Sequence, residues 1–212
     1  MRGVVLGLCL ILLAACSRPL TENERVFAET LFGPTLDTEN VTISQGLGIA
    51  PLYRTVPSSV RVVRGTERAC VRTPQPFGGQ PPQAFALYER MHFDSTLYAS
   101  DMALFWPRGL RFPQGLILAH ELTHVWQWQN RDVTGYAPWR AVAESFELAD
   151  PYYSGSLDTP LFLSLGYEQQ AAIVEDFVCF TVANPTHPRR AQLREVLEPF
   201  FPVETFEAAL GQ

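Results

Sequence analysis

The run LILAHELTHVWQWQ at residues 116–129 constrains this chain more than any other stretch. His120 and His124 stand four residues apart, so on a helix they share one face a turn apart, where two imidazoles can reach one tetrahedral zinc ion. Glu121 is turned about 100° from the first histidine, near enough to hold a metal-bound water without being a ligand. With only four histidines in the chain, such a string arises by chance on the order of once in a few hundred proteins of this length. Pro113 suits the first turn of the helix, and Leu116, Ile117, Ala119, Leu122 and Val125 supply the apolar packing of a buried one ending near residue 130. A catalytic zinc keeps three protein ligands and one place for water, so the fold must bring a third ligand to this helix from elsewhere.

The other histidines, His92 and His187, do not extend the motif, because Gln127 and Asn130 stand where the long-spaced HExxHxxGxxH pattern needs Gly and His. The third ligand should therefore be a glutamate. GYEQQAAIVEDFVCFTVAN reads as a helix with Glu168 and Glu175 two turns apart on one face, and Ala171 and Ala172 permit close approach. Glu168, near the helix start where approach to a metal is least crowded, is the preferred ligand over Glu175. Glu175 or Asp176 can then accept a proton from a ligand histidine and fix its tautomer. Cys179 lies about 16 Å along the axis from Glu168, too far to share the ion.

Around these two helices the sequence predicts an α+β, small zincin-like domain, mainly helical with a small β-sheet beside the HExxH helix. A short helix over residues 22–31 is capped by Thr21 and stopped by Gly33 and Pro34. NVTIS and VRVVR have strand-like content, TPQPFGGQPPQ is a loop, and STLYASDMALFW reads as a strand ending at Pro107. PWRAVAESFELA, RRAQLREVLEPF and VETFEAALG read as further helices. The strand within STLYASDMALF is the expected edge against which an extended substrate pairs. DPYYSGSLDTP has the length and composition of a lid. Tyr136, Arg140, Tyr152, Tyr153 and Tyr167 are the donors from which charge on a reacting carbonyl oxygen could be stabilised. Trp126 and Trp128 flank the motif, and core packing suits both better than a pocket wall.

All 16 basic residues are arginine and the formal net charge is -6, which argues against a nucleic-acid partner. Arg61, Arg64, Arg68 and Arg72 form a local concentration read as a solvated strand face, partly offset by Glu67. At the N-terminus, GVVLGLCLILLAAC is apolar for about a dozen residues, too short for a membrane span and suited to a signal peptide. Its end, Leu13-Ala14-Ala15-Cys16, resembles the lipobox of bacterial lipoproteins. That resemblance implies cleavage of residues 1–15, lipid on Cys16, and residues 16–212 as a single domain anchored to the envelope. By the same resemblance to bacterial lipoproteins, Ser17 in place of Asp after the cysteine implies the outer membrane, facing the periplasm. Cys70 and Cys179 remain in a compartment that permits disulfides, and both a bridge and two separate thiols fit the sequence.

LILAHELTHVWQ, preceded by LFGPTLDTENVTI and followed by YEQQA, also resembles a bacterial HExxH metallopeptidase-like family associated with Rhs/Vgr elements and contractile injection systems, related to the gluzincins. Phe32, Gly33, Leu36, Asp37, Val41 and Ile43 carry its upstream motif, and the likeness covers residues 32–176. It implies His120, His124 and Glu168 as zinc ligands and Glu121 as catalytic base. Ala172 departs from the pattern, which often has an acidic residue four positions after the ligand glutamate. The expected function is a lipid-anchored zinc metallopeptidase acting on a peptide or protein. The alternative is a noncatalytic zinc-binding envelope lipoprotein serving binding or assembly, although a purely structural site needs no base beside it.

Overall fold

The computed structural model describes residues 17–47, 70–72, 82–147, 150–153, 157 and 162–211. The predicted signal peptide, Cys16, the VRVVR strand, Arg61, Arg64, Arg68 and most of the TPQPFGGQPPQ loop lie outside these residues.

The molecule is α+β, with helices packed against a small four-stranded sheet. Strand β1 (Ser17–Pro19) leads into helix α1 (Glu22–Phe32). There Thr21 Oγ1 accepts from the Glu24 N–H at 3.3 Å and the Glu24 carboxylate accepts from the Thr21 N–H at 2.7 Å, a reciprocal cap. Strand β2 (Thr42–Gln45) follows, then β3 (Ala84–Leu87) and β4 (Arg90–Phe93). The sheet order is β1-β2-β4-β3, with β2 and β4 parallel and the other pairs antiparallel. Ile43 opposes Met91, and both are fully buried with Phe93, so one sheet face meets the helices.

Helix α2 (Gln114–Gln129) carries the HELTH motif and runs into the single turn α3 (Arg131–Thr134); α4 is Pro138–Glu147. Helix α5 (Tyr167–Ala183) packs along α2, and α6 (Pro188–Leu197) and α7 (Val203–Ala209) close the core. Leu118, Leu122 and Val125 of α2 and Ile173, Phe177 and Val178 of α5 are fully buried. Phe27 of α1 meets the Trp106 ring edge-on at 5.1 Å, and Trp106 stacks on Phe206 of α7 at 4.9 Å. No described helix is long and apolar enough to cross a membrane.

The expected strand in STLYASDMALFW is replaced by turns. Asp94 Oδ1 accepts from the N–H and hydroxyl of Thr96, and Asp101 Oδ1 from the Ala103 N–H at 3.0 Å, so side chains capture backbone donors that a ladder would need. The Met102 N–H is taken by Glu24 Oε1 at 2.7 Å. The sheet is instead completed by the β3–β4 hairpin, and β3 is its edge among the described residues.

Candidate metal centre

Helix α2 presents His120, Glu121 and His124 toward α5, and α5 presents Glu168 and Glu175 in return. All three α2 residues are buried, at 8%, 3% and 5% exposure. Glu168 Oε2 lies 3.2 Å from His120 Nε2 and 3.4 Å from His124 Nε2. One ligand atom from each of these three residues falls within 4.8 Å of the others. Bonds of about 2.1 Å in a tetrahedron place ligand atoms roughly 3.4 Å apart, so the spacing suits a metal ion held by two imidazoles and one carboxylate.

The far side of each histidine is held as well. Nδ1 of His120 is 3.2 Å from Glu175 Oε2, and Nδ1 of His124 is 2.8 Å from Gln127 Oε1. Gln127 Nε2 donates to the Tyr167 carbonyl and to Gln170 Oε1, tying α2 to the start of α5. With Nδ1 engaged in both rings, Nε2 is the nitrogen turned to the shared centre. Asp176, the other residue read as a histidine partner, faces away. Its Oδ1 accepts from Arg72 Nε at 2.6 Å, while Arg72 Nη2 meets Glu175 Oε2 at 2.6 Å. Arg72 is thus no part of a solvated strand face. Cys70 is bonded to Cys179 on α5, which lays the residues after it along that helix.

Charge follows this geometry. Burial opposes the proton on His120, but hydrogen bonds to Glu168 and Glu175 outweigh it and raise the pKa to about 10. His124 is likewise raised: burial opposes its charge, and the Glu168 carboxylate overcomes that. Burial alone would raise Glu168, yet the two histidines hold it below the ordinary carboxylate range. Glu121 goes the other way: burial pushes it up to about 7, against the pull of both histidines. Its Oε2 is buried with no hydrogen-bond partner among the described residues.

Of the tyrosines considered as donors, two flank the centre. Tyr136 stacks on His124 with ring centroids 5.9 Å apart, and Tyr152 lies 5.8 Å from His120. Burial first and the Glu168 charge next raise the pKa of both, so they stay protonated. Tyr167 and Arg140 both donate to the Gly135 carbonyl at 2.9 Å and are engaged there. Tyr153 does not join the cluster through any described contact; its carbonyl accepts from Gln169. Trp126 is a core residue bonded to Thr35 through its indole N–H. Trp128 contacts Tyr88 of the hairpin and, with Tyr136, Trp139, Arg131 and Arg140, lines a cavity of about 430 Å³. Of the predicted lid, residues 154–156 and 158–160 lie outside the described ones; the part before them carries Tyr152.

The two remaining histidines serve elsewhere. His92 stacks on Phe85 within the sheet, and His187 caps α6 and stacks on Phe180. Sequence reasoning missed Gln127 and Arg72 as site residues. Gln127 was within reach, since it lies three residues after His124 on the same helix face; nothing local marks Arg72. No family model matches this chain, and neither does any curated protein or solved structure.

Proposed function

We propose that this chain is a zinc metallopeptidase of zincin-like fold, held to the bacterial envelope by lipid on Cys16 and acting on peptides or proteins at the outer membrane, facing the periplasm. The observation that carries the reading is Glu121: a buried carboxylate with an unpartnered oxygen, beside three side chains spaced for one metal ion. A carboxylate kept for structure is saturated with donors, whereas a general base needs a free lone pair. The likeness of HELTHVWQ and its flanks to the gluzincin-related family supports the same assignment.

A zinc ion bound in this centre would supply a Lewis acid and a water acidic enough to attack at neutral pH. His120, His124 and Glu168 would hold it, with Glu175 and Gln127 fixing the rings. Glu121 Oε2 takes the proton of the attacking water and passes it to the leaving amine. Tyr136 and Tyr152, whose rings flank His124 and His120, would offer their hydroxyls as donors to the carbonyl oxygen. Strand β3, a sheet edge that packs beside α2, takes the substrate-pairing role first expected of STLYASDMALF. Because Ser17, the residue after Cys16, is already part of β1, lipid on Cys16 would set the domain directly against the bilayer.

The test is zinc content and peptide cleavage of the parent, Glu121→Gln and Glu168→Gln. About one zinc in the parent and in Glu121→Gln, cleavage by the parent alone, and loss of zinc from folded Glu168→Gln are expected. The low exposure of the two histidines favours one rival, a noncatalytic zinc lipoprotein serving as a binding module; it predicts zinc in the parent and no cleavage of any peptide.

A further inference from the structure

Residues 70–72 lie along α5, fastened at two points. Cys70 is bonded to Cys179, closing a sequence separation of 109 residues. Arg72 divides its guanidinium between neighbouring carboxylates, Nη2 to Glu175 Oε2 and Nε to Asp176 Oδ1, each at 2.6 Å. Cys70 is buried, Val71 between them is 47% exposed, and Arg72 turns back to the helix, the alternation of an extended segment laid on a surface. Both anchors fall on one face of α5, since Cys179 is one turn beyond Glu175.

The oxygen that Arg72 holds is the one that the metal centre uses. Glu175 Oε2 is also the atom 3.2 Å from Nδ1 of His120. An unclamped glutamate on this face has three rotatable bonds and lies close to the centre that Glu168 completes. The Arg72 fork fixes its direction and keeps its charge on the outer side of His120. The pair is partly buried, with side-chain exposures of 28% for Arg72 and 20% for Glu175, so it is screened less than a surface pair. Holding an extended segment by two ion pairs costs chain entropy, and the disulfide removes most of that cost in advance.

We infer that the Cys70–Cys179 disulfide and Arg72 act as one brace that positions Glu175 on His120 and thereby sets the metal affinity of the centre. Arg72 is a positioning residue, acting through Glu175, and the disulfide acts through Arg72. The inference rests on the proposed reading that His120 is a zinc ligand.

The experiment is a double-mutant cycle on zinc affinity, measured on the purified full-length protein by competition with a chromophoric chelator at fixed pH. Arg72→Gln should weaken zinc binding about tenfold, the low end for loss of a group that orients a ligand. The paired change Cys70→Ala with Cys179→Ala should weaken it by a similar or smaller factor without leaving thiols to bind the ion. The triple variant should lose no more than Arg72→Gln alone, because both changes break the same brace. Arg72→Lys, which keeps the charge but not the fork, should recover part of the loss. If Arg72→Gln does not fold, Arg72→Lys takes its place in the cycle, with an expected loss above about twofold but smaller than about tenfold and the same non-additivity with the cysteine changes. Arg18→Met, which weakens the fold away from the centre, should keep parent affinity and so separates positioning from general stability. Affinity within twofold of the parent in folded Arg72→Gln overturns the inference, and so do losses that multiply between arginine and cysteine changes. Both results leave the metallopeptidase reading standing, whereas a parent that binds no zinc overturns the two together.

Discussion

Among the described residues two glutamates, Glu24 and Glu121, are almost wholly shut off from solvent, and they are treated in opposite ways. Glu24 of α1 is fully buried and receives four donors, each at 2.7 Å: Nη1 and Nη2 of Arg18 and the N–H groups of Thr21 and Met102. Glu121 of α2 is 3% exposed and keeps Oε2 with no partner among the described residues. The first knits β1, α1 and the turns around Met102 together. The second costs stability, because a buried carboxylate oxygen without a donor pays its desolvation uncompensated. A fold retains such a group where its lone pair is used.

The comparison breaks first, and by the largest margin, at Glu121→Gln. Cleavage should fall about 10²- to 10⁴-fold, the range for loss of a general base. The unfolding free energy should stay level or rise, since the amide removes a buried charge. A stability loss like that of a saturated carboxylate would place Glu121 with Glu24 as a structural group. At the other pole, Arg18→Met strands the Glu24 charge with only two backbone donors and should cost about 3–5 kcal/mol in urea unfolding. Zinc affinity and turnover per folded molecule should be unchanged.

The pH dependence of the metal-free protein sharpens the contrast. Glu121 is raised from 4.5 to about 7, so the folded state binds its proton more tightly than the unfolded chain does. The stability it contributes is full below pH 4.5 and lost as pH rises through 7. His120, raised from 6.5 to about 10, contributes stability that is full below 6.5 and lost as pH rises through 10. Chelator-treated protein should therefore weaken steadily from about pH 5 to 10, by on the order of 3 kcal/mol or more. Glu121→Gln should flatten the lower part of that slope, and Arg18→Met should leave its shape intact. A parent whose stability is flat across this range would mean that Glu121 is ionised without cost and is not the strained member of the pair.

What was legible in the sequence was local. The spacing of His120 and His124, the cap at Thr21 and the face shared by Glu168 and Glu175 are set within one or two helical turns, and the structure brings each together as the spacing implies. The hairpin at residues 84–93 went unread because its turn carries Tyr88 at φ 58, where a sequence signal would be Gly or Asn. The stretch after it failed as a strand because Asp94 and Asp101 supply local acceptors, and the fate of the Met102 N–H depends on Glu24, 78 residues away. Arg72 was invisible for the same reason: its partners lie more than a hundred residues downstream, and the disulfide that delivers it could not be assigned from spacing.

The two histidines offer a smaller version of the opening contrast, since His120 is steadied by a carboxylate and His124 by an amide. A hydrogen bond to an ionised acceptor is roughly twice as strong as one between neutral groups, so Glu175 should matter more to metal affinity than Gln127. Gln127 is nonetheless fully buried, and its amide also donates to the Tyr167 carbonyl and Gln170 Oε1. Gln127→Ala therefore leaves one donor and two acceptors without a partner and should cost about 1–3 kcal/mol of stability. Its effect on zinc affinity should be tenfold or less, and below that of Glu175→Ala measured in the same chelator competition. An affinity loss from Gln127→Ala larger than that from Glu175→Ala would reverse the ranking. The tie between α2 and the first turn of α5, which carries Glu168, would then count for more at this centre than the charge behind His120.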